Sequence, residues 1–401
     1  MESVATTQSR ILEALTPLRR ERVPLAQALG RVLATPVTTG RPVPAFANSA
    51  MDGFAVREGD VRDATISRPV LLPVDGAIAA GCTEPALLRP GTAQRIATGA
   101  PLPDGADTVV PDEQTDRGSD IVAIHTCAGP GAFVRPAGHD MTPGAVAVMA
   151  GRRLRPGDLA ACAAAGVSGV EVARRPRVAV LSTGAELVPL GTEPRFGQVI
   201  DSNSVALIAA ISDAGGVAIP LGIAGDTPEA IRNGLRTAAG CDLILSSAGV
   251  SVGEHDHVRN VVADMGSIDL WRVSMRPGKP VAVGNVGGTP FLGLPGNPVS
   301  SYVTFELFAR PAILALQGAA DPHRRRFAAR LTEDVIVPSH LETYIRAAFT
   351  PSDEALPAVR PTDSQDSSAL KSLARADGLI VIPAGSAEVK TGSVVQVLPL
   401  Q

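Results

Sequence analysis

Cysteine is scarce in this chain of 401 residues: four occur, at positions 82, 127, 162 and 241, and none forms a C-x-x-C pair. That spacing argues against structural zinc, iron–sulfur clusters and a disulfide framework, and predicts reduced thiols. Positive charge is not in excess either. The formal net charge is −4 and the pI about 5.9, which argues against nucleic acid as a partner, because counterion release needs a basic face. No uninterrupted apolar run approaches a membrane span. The opening "MESVATTQSRILEALTPLRR" lacks the basic-then-apolar profile of an export signal. The expectation is a cytoplasmic protein with no membrane partner. Walker A, dinucleotide-binding G-x-G-x-x-G and nucleophile-elbow G-x-S-x-G patterns are also missing, which removes the commonest phosphate-loop and triad readings.

What is present is apolar content of 45%, enough to bury a sizeable core, over a length that suits about two to four domains. Forty glycines and 34 prolines predict short elements and many turns. Residues 9–33 read as two short helices around Pro24. Residues 69–125 hold short β-prone runs such as "RPVLLPVDG" and "DTVVPDE". A helix begins at Pro156 and stops at Gly166; packed back on the N-terminal helices, it makes the first domain discontinuous. From residue 177 strands and helices alternate. "RVAVLST", "VAIPLGIA", "DLILSS" and "TPFLGL" read as strands, and "SNSVALIAAISDAGG", "DTPEAIRNGLRTAAG" and "HDHVRNVVADMG" as helices. Ser202 or Ser204 caps the first helix, Thr227 the second, with Pro228 at its first position. This alternation predicts βαβ units and a mainly parallel sheet. From residue 321 the pattern is β again, about 80 residues that suit a small barrel. The expected architecture is α/β and multidomain: a discontinuous helical N-terminal and linker domain (1–45 plus 141–175), a β-rich domain (46–140), a three-layer α/β domain (176–320) and a C-terminal β-barrel (321–401).

In a parallel sheet, ligands gather at the carboxyl ends of the strands. Three strand ends here run into glycine- and hydroxyl-bearing loops: "LSTGAEL", "SSAGVSVGEHD" and "GLPGNPVSS". Glycine allows close backbone approach, and the last two lead into helices whose N-terminal amides attract anions. The pattern points to a pocket for a phosphorylated ligand, with Ser182, Thr183, Gly184, Ser247, Gly249, Ser251, Gly253, Pro295, Gly296, Asn297 and Pro298 as its lining. Acids accompany it: Glu186, Asp226, Glu254 and Asp256. Carboxylates beside phosphate call for a bridging hard cation such as Mg2+; helix capping is the competing use of Asp226. His255 and His257 alternate around Asp256, a weak zinc signal. Arg272, Arg276 and Lys279 in "WRVSMRPGKP" suit phosphate or oxyanion contacts, or a solvated edge strand. "PVPAFANSAMDGFAV" reads as an ordered loop whose chemistry has no local explanation.

Together, "PAFANSAMDGFAV", "ATGAPLPDGADTVV", "VRPAGHDMTPGAVAV", "STGAELV", "GQVIDSNS", "SSAGVSVGEHD", "MRPGKPVAVG" and "GLPGNPVSSYVTFELF" resemble the molybdopterin molybdenumtransferases, the MoeA proteins and the E-type domain of gephyrin. The resemblance runs in order from about residue 25 to the C-terminus. It implies four domains, with the central one similar to the MogA-type adenylating enzymes, a small C-terminal β-barrel and an elongated homodimer. It also implies a reaction: adenylated molybdopterin binds, its phosphoanhydride is cleaved with Mg2+ as cofactor, molybdate as substrate enters the dithiolene, and AMP leaves. Transient contacts with the adenylating enzyme and with molybdoenzyme apoproteins are part of that picture.

The same resemblance implies Asp52, Asp140, Glu186, Asp226 and Asp256 as catalytic acids, with Glu186, Asp226 and Asp256 facing the metal. Thr98 matches a site threonine, Arg272, Arg276 and Lys279 the basic segment, and residues 295–298 an anion-binding turn. Arg346, Ser367 and Ser368 align near the oxyanion site. A partner subunit's N-terminal region would complete the cleft, which accounts for the unexplained loop around Asp52. Two positions depart from the family pattern. Ala248 replaces a glycine, narrowing backbone approach to the ligand, and Ala47 replaces an aspartate. The alternatives are a molybdopterin adenylyltransferase, which shares the central domain type, and a non-enzymatic scaffold.

Overall fold

The computed structural model describes residues 1–248, 257–351 and 353–400. Its centre is a six-stranded sheet. In chain order the elements are β1 (Arg177–Thr183), α1 (Ser202–Asp213), β2 (Val217–Ala224), α2 (Pro228–Arg236), β3 (Leu243–Ser247), α3 (His257–Met265), β4 (Gly266–Arg272), β5 (Pro280–Val286), β6 (Thr289–Leu294) and the helix α4 (Pro298–Leu316). The strand order is β2-β1-β3-β6-β5-β4. β2, β1, β3 and β6 are parallel, as the βαβ alternation predicts. β5 and β4 extend the sheet antiparallel, so the sheet is mixed. The cause is local: β5 and β6 are joined by Gly287 and Gly288, at φ +57° and +91°, and positive φ at both turn positions gives a tight hairpin instead of a crossover.

Both faces of this sheet are covered. Val178, Val180, Leu245, Leu292 and Leu294 pack on one side with Leu207 and Ile211 of α1 and the apolar face of α4. On the other side Leu181, Ile244 and Phe291 meet Ile231 and Leu235 of α2 and Val258, Val261 and Val262 of α3. α1 is capped by Asp201, whose Oδ1 accepts the Ser204 N–H at 3.1 Å, and not by Ser202 or Ser204 as expected. Thr227 caps α2 through the Ala230 N–H. α4 is long and apolar enough by composition to cross a membrane, but 89% of it is buried inside the protein. It widens at Phe305–Ala309, just before Pro311. Proline has no N–H for the carbonyl four residues earlier, and Leu307 O instead accepts Gln8 Nε2 at 2.8 Å.

The N-terminal region holds more strand than expected. The helix Val4–Glu13 packs Val4 and Ile11 into the central core. The stretch before Pro24, expected to be helical, ends as a strand: Arg20–Pro24 pairs antiparallel with Gly169–Ala173, and the helix expected after Pro24 is only the short turn Leu25–Gln27. Arg22 and Glu171 face each other across this ladder, and Val23 meets Val170, so a partner distant in sequence overrides local helix propensity. The helix Pro156–Ala164 stands as expected, ended by Gly166 at φ +83°. Between these, a five-stranded sheet runs in the order Thr108–Pro111, Gly53–Val56, Ala93–Ile96, Val70–Ile78, Ile121–Ile124. At the other end, Glu342–Thr350, Ala358–Pro361, Phe327–Leu331, Val394–Pro399 and Gly378–Ile382 close into a barrel, the last pairing back with the first. Met275–Arg276 adds to it parallel, opposite Glu342 and Thr343, so the basic segment is stretched between the central sheet and the barrel.

Candidate active site

Ser182 of β1 pairs with Ser247 of β3, and Ser247 with Leu294 of β6. The three strands therefore end level, and their loops leave at one edge. A cavity of about 610 Å³ opens there. It is lined by Thr183, Glu186, Asn203, Ser247, Ala248 and the turn Pro295, Gly296, Asn297, Pro298, among others. A second cavity of about 570 Å³ lies between this edge and the barrel, lined by Arg276, Lys279, Asp334, Tyr344, Gln365 and Ser367 among others. Gly278, Pro280, Asn297 and Ser300 line both, so the two are halves of one cleft.

Side-chain amides fix the shape of the cleft. Asn203 Nδ2 donates to Ser247 Oγ and to the Gly296 carbonyl, each at 2.8 Å, pinning the ends of β3 and β6 to α1. Asn297 Nδ2 donates to Ser367 Oγ at 3.0 Å, and the Val299 N–H to the Ser367 carbonyl at 3.0 Å. The barrel thus takes one of the first-turn amides of α4 that the sequence assigns to an anion. Asn203 and Ser300 went unassigned in the sequence, Asn203 because its value lies in joining distant loops and Ser300 because it lines both cavities only once the barrel is in place.

At the other end of the cleft two acids hold one turn. Gly184 has φ +150°, and a Cβ there would meet Glu186 Oε2 at 2.7 Å, so the Glu186 carboxylate folds back over the glycine. Asp226 Oδ2 accepts the Ala185 N–H at 2.8 Å. This is not helix capping: Thr227 caps α2. Both carboxylates are exposed hard oxygen donors. Among the described residues no three His, Cys, Asp or Glu converge on one point. The third expected acid, Asp256, lies outside the described residues, as do Gly249, Ser251, Gly253, Glu254 and His255. Ser182 is buried beneath the loop, and its Oγ has no hydrogen-bond partner among the described residues.

Ala248 takes φ +75°, a left-handed conformation that costs a non-glycine residue about 1 kcal/mol. A Cβ on Gly296 would come within 3.1 Å of the Ala248 methyl. The alanine therefore crowds Gly296, where a side chain would have to push the Ala248 methyl aside.

The basic residues divide. Arg276 and Lys279 are exposed in the barrel-side cavity. Arg272 is exposed at the end of β4 and lines neither cavity; its carbonyl accepts the Glu2 N–H. Arg346 is 1% exposed and does not face the cleft. Its guanidinium donates to Ser372 Oγ and to the carbonyls of Ser364 and Asp366, which makes it the frame of the loop that presents Ser367. Burial pushes its pKa down, with Asp366 opposing. Ser368 turns its hydroxyl to Asp366 Oδ1.

Asp52, Thr98 and Asp140 stand apart. Asp52 Oδ1 accepts the Thr98 N–H at 2.7 Å and the Thr98 hydroxyl at 3.0 Å. The Thr98 amide, then its hydroxyl, hold the Asp52 carboxyl below its ordinary pKa, with a smaller contribution from Arg95. Asp140 is exposed on a loop tied to residue 43 by its backbone N–H. Neither cavity receives a lining residue from before Thr183.

An α/β domain of this kind, with its cleft closed by a barrel, matches over residues 179–315 the family described as "probable molybdopterin binding domain". The flanking regions settle the particular family. Residues 2–166 match the MoeA N-terminal region (domain I and II), and residues 328–400 the MoeA C-terminal region (domain IV). The chain belongs to the MoeA family. It is 40% identical to molybdopterin molybdenumtransferase 2 of Mycobacterium tuberculosis over 407 residues, covering all of both. Identity to the molybdopterin molybdenumtransferase of Nostoc is 38% over 410 residues, all of this chain and 94% of that one. A crystal structure of a Pyrococcus horikoshii MoeA protein superposes with a TM-score of 0.77 at 32% identity, over 100% of this chain and 99% of the other.

Proposed function

We propose that this protein inserts molybdenum into molybdopterin, taking adenylated molybdopterin and molybdate as substrates and releasing AMP. The observation that carries this reading is the single cleft, with Glu186 at one end, on a turn that Asp226 holds, and Arg276 and Lys279 at the other. The glycine-bearing turn Pro295–Pro298 and Ser247 approach the phosphates. Arg276, Lys279 and Ser367 neutralise and orient the oxyanion, with Arg346 holding the Ser367 loop in place.

Glu186, Asp226 and Asp256 would hold Mg2+, since an all-oxygen donor set suits that ion. The bound ion supplies charge neutralisation for the phosphoanhydride. The protein acts as a homodimer in the cytoplasm, a setting that its free cysteines fit. The partner's Asp52, Thr98 and Asp140 complete each cleft. In support, those residues are exposed on a region that lines neither cavity of its own chain.

The test is AMP release from adenylated molybdopterin with Mg2+ and molybdate. Molybdate-dependent release, without ATP, is the expected result. ATP-dependent adenylation of molybdopterin, with no AMP released from the adenylated compound, would overturn the reading in favour of an adenylyltransferase.

A further inference from the structure

Arg95 lies in the strand Ala93–Ile96, opposite Phe54. Its guanidinium carbon stands 5.5 Å from the centroid of the Phe54 ring, and Nη2 donates to Asp112 Oδ2 at 3.2 Å. Phe54 is fully buried, and the Asp112 side chain is 15% exposed. The head group is thus gripped by a ring and a carboxylate, while 46% of the Arg95 side chain remains open. Asp112 is itself tied to the acid loop, its N–H donating to the Asp52 carbonyl at 3.1 Å. Gly53, next to Asp52, pairs with Ile96, next to Arg95. Asp52, Thr98 and Arg95 therefore share one exposed edge of the sheet.

A simple surface ion pair needs no such fixing. Arginine has five N–H donors, and among the described residues Asp112 occupies one of them. A planar, stacked guanidinium with open donors is suited to a phosphate. The neighbourhood also requires a cation. A phosphoanhydride brought against Asp52 and Asp140 meets two carboxylates, and Arg95 is a cation held beside the first of them.

We propose that Arg95 is an anion-binding residue of the composite cleft, reaching from the partner subunit to hold the substrate's phosphoanhydride beside Asp52 and Thr98. This rests on the reading that the partner's N-terminal region completes the cleft.

The experiment is steady-state kinetics of the full-length protein with adenylated molybdopterin over a range of ionic strength, for Arg95→Gln, Arg95→Lys and Asp52→Asn. Arg95→Gln is expected to raise KM about tenfold, the worth of one charge-assisted hydrogen bond, with a much smaller change in kcat. It should also flatten the dependence of KM on salt, because a screened charge has been removed. Arg95→Lys should recover part of the loss and restore the salt dependence. An Arg95→Gln protein with unchanged KM and salt dependence, while Asp52→Asn still slows turnover, would overturn the proposal and leave the composite cleft standing. If Asp52→Asn also leaves turnover unchanged, the composite cleft itself fails, and the proposal with it. Loss of thermal stability in Arg95→Gln without a change in KM would assign the Phe54 and Asp112 contacts to structure alone.

Discussion

Glu186 lines a cavity that its own domain builds, and Asp226 braces the same turn through the Ala185 N–H, whereas Asp52 and Asp140 sit on open surface. The first pair is held by one turn at the end of β1, through the fold-back over Gly184 and the Ala185 N–H. The second belongs to a region of small sheets, where Asp52 is fixed by Thr98 and lines neither cavity. The contrast teaches where chemistry can be read locally. A parallel sheet concentrates its loops at one edge, so its site is complete in outline within one domain. An exposed acid on a region that lines neither cavity of its own chain has to be tested against a second surface.

The sharpest way to break the comparison is to remove an acid from each region. Glu186→Ala is expected to lower kcat about 10²–10³-fold, the usual cost of losing a group that stabilises charge in the transition state, as followed by AMP release. Asp52→Asn should cost less, about 10- to 100-fold, in line with a single charged hydrogen-bonding group. If the two effects were reversed in size, the central turn would not be the chemical end of the cleft.

Asn203→Ala separates shape from charge. It removes both bonds that join Ser247 and Gly296 to α1. The expected loss is about 1–3 kcal/mol of stability, read by denaturant titration, with KM rising more than kcat falls. An unchanged KM would show that the strand ends hold their register without it.

The smallest effect lies in the barrel, where Asp334 repeats the Asp52 device. Asp334 Oδ1 accepts the Thr391 N–H at 2.8 Å and hydroxyl at 2.9 Å. The Thr391 amide, then Lys390 and the Thr391 hydroxyl, bring its carboxyl down to about 2. Because the folded pKa lies below the ordinary 3.8, the stability it adds is full above that pH and is lost as pH falls towards about 2. Thr391→Val should therefore lower the Tm slightly at neutral pH and shrink its fall between pH 4 and 2, without touching KM. Asp334 lines the wall of the barrel-side cavity, so a change in KM would show that it contacts substrate instead of only bracing the barrel.

The central domain was largely legible from sequence because each signal was local. Apolar runs gave β1, β2 and β3, Thr227 and Pro228 marked the start of α2, and glycine-rich loops marked the strand ends. The antiparallel β4 and β5 were less legible, since the hairpin glycines at 287 and 288 compete with a crossover reading. The strand Arg20–Pro24 was hidden because its partner lies about 150 residues away and local propensity reads as helix. Family resemblance named Arg346 as a site residue, and the structure shows why sequence alone could not give its role. Its three acceptors, at 364, 366 and 372, come together only when the barrel closes. Arg276 and Lys279 stand in the cleft while Arg272, only four residues before Arg276, does not. The difference is the short pairing of Met275–Arg276 with the barrel, which the spacing of charges does not reveal.

The most direct test of the account is subunit complementation. Asp52→Ala and Glu186→Ala proteins, each strongly impaired, are unfolded, mixed in equal amounts, refolded together and assayed for molybdate-dependent AMP release. If each cleft joins one subunit's Glu186 to the partner's Asp52, half the dimers are mixed and each regains one intact cleft. Activity then returns to roughly a quarter of wild type, as two-fold symmetry dictates. If both acids serve the same cleft from one chain, every cleft in the mixture lacks one acid, and activity stays at the level of the single variants.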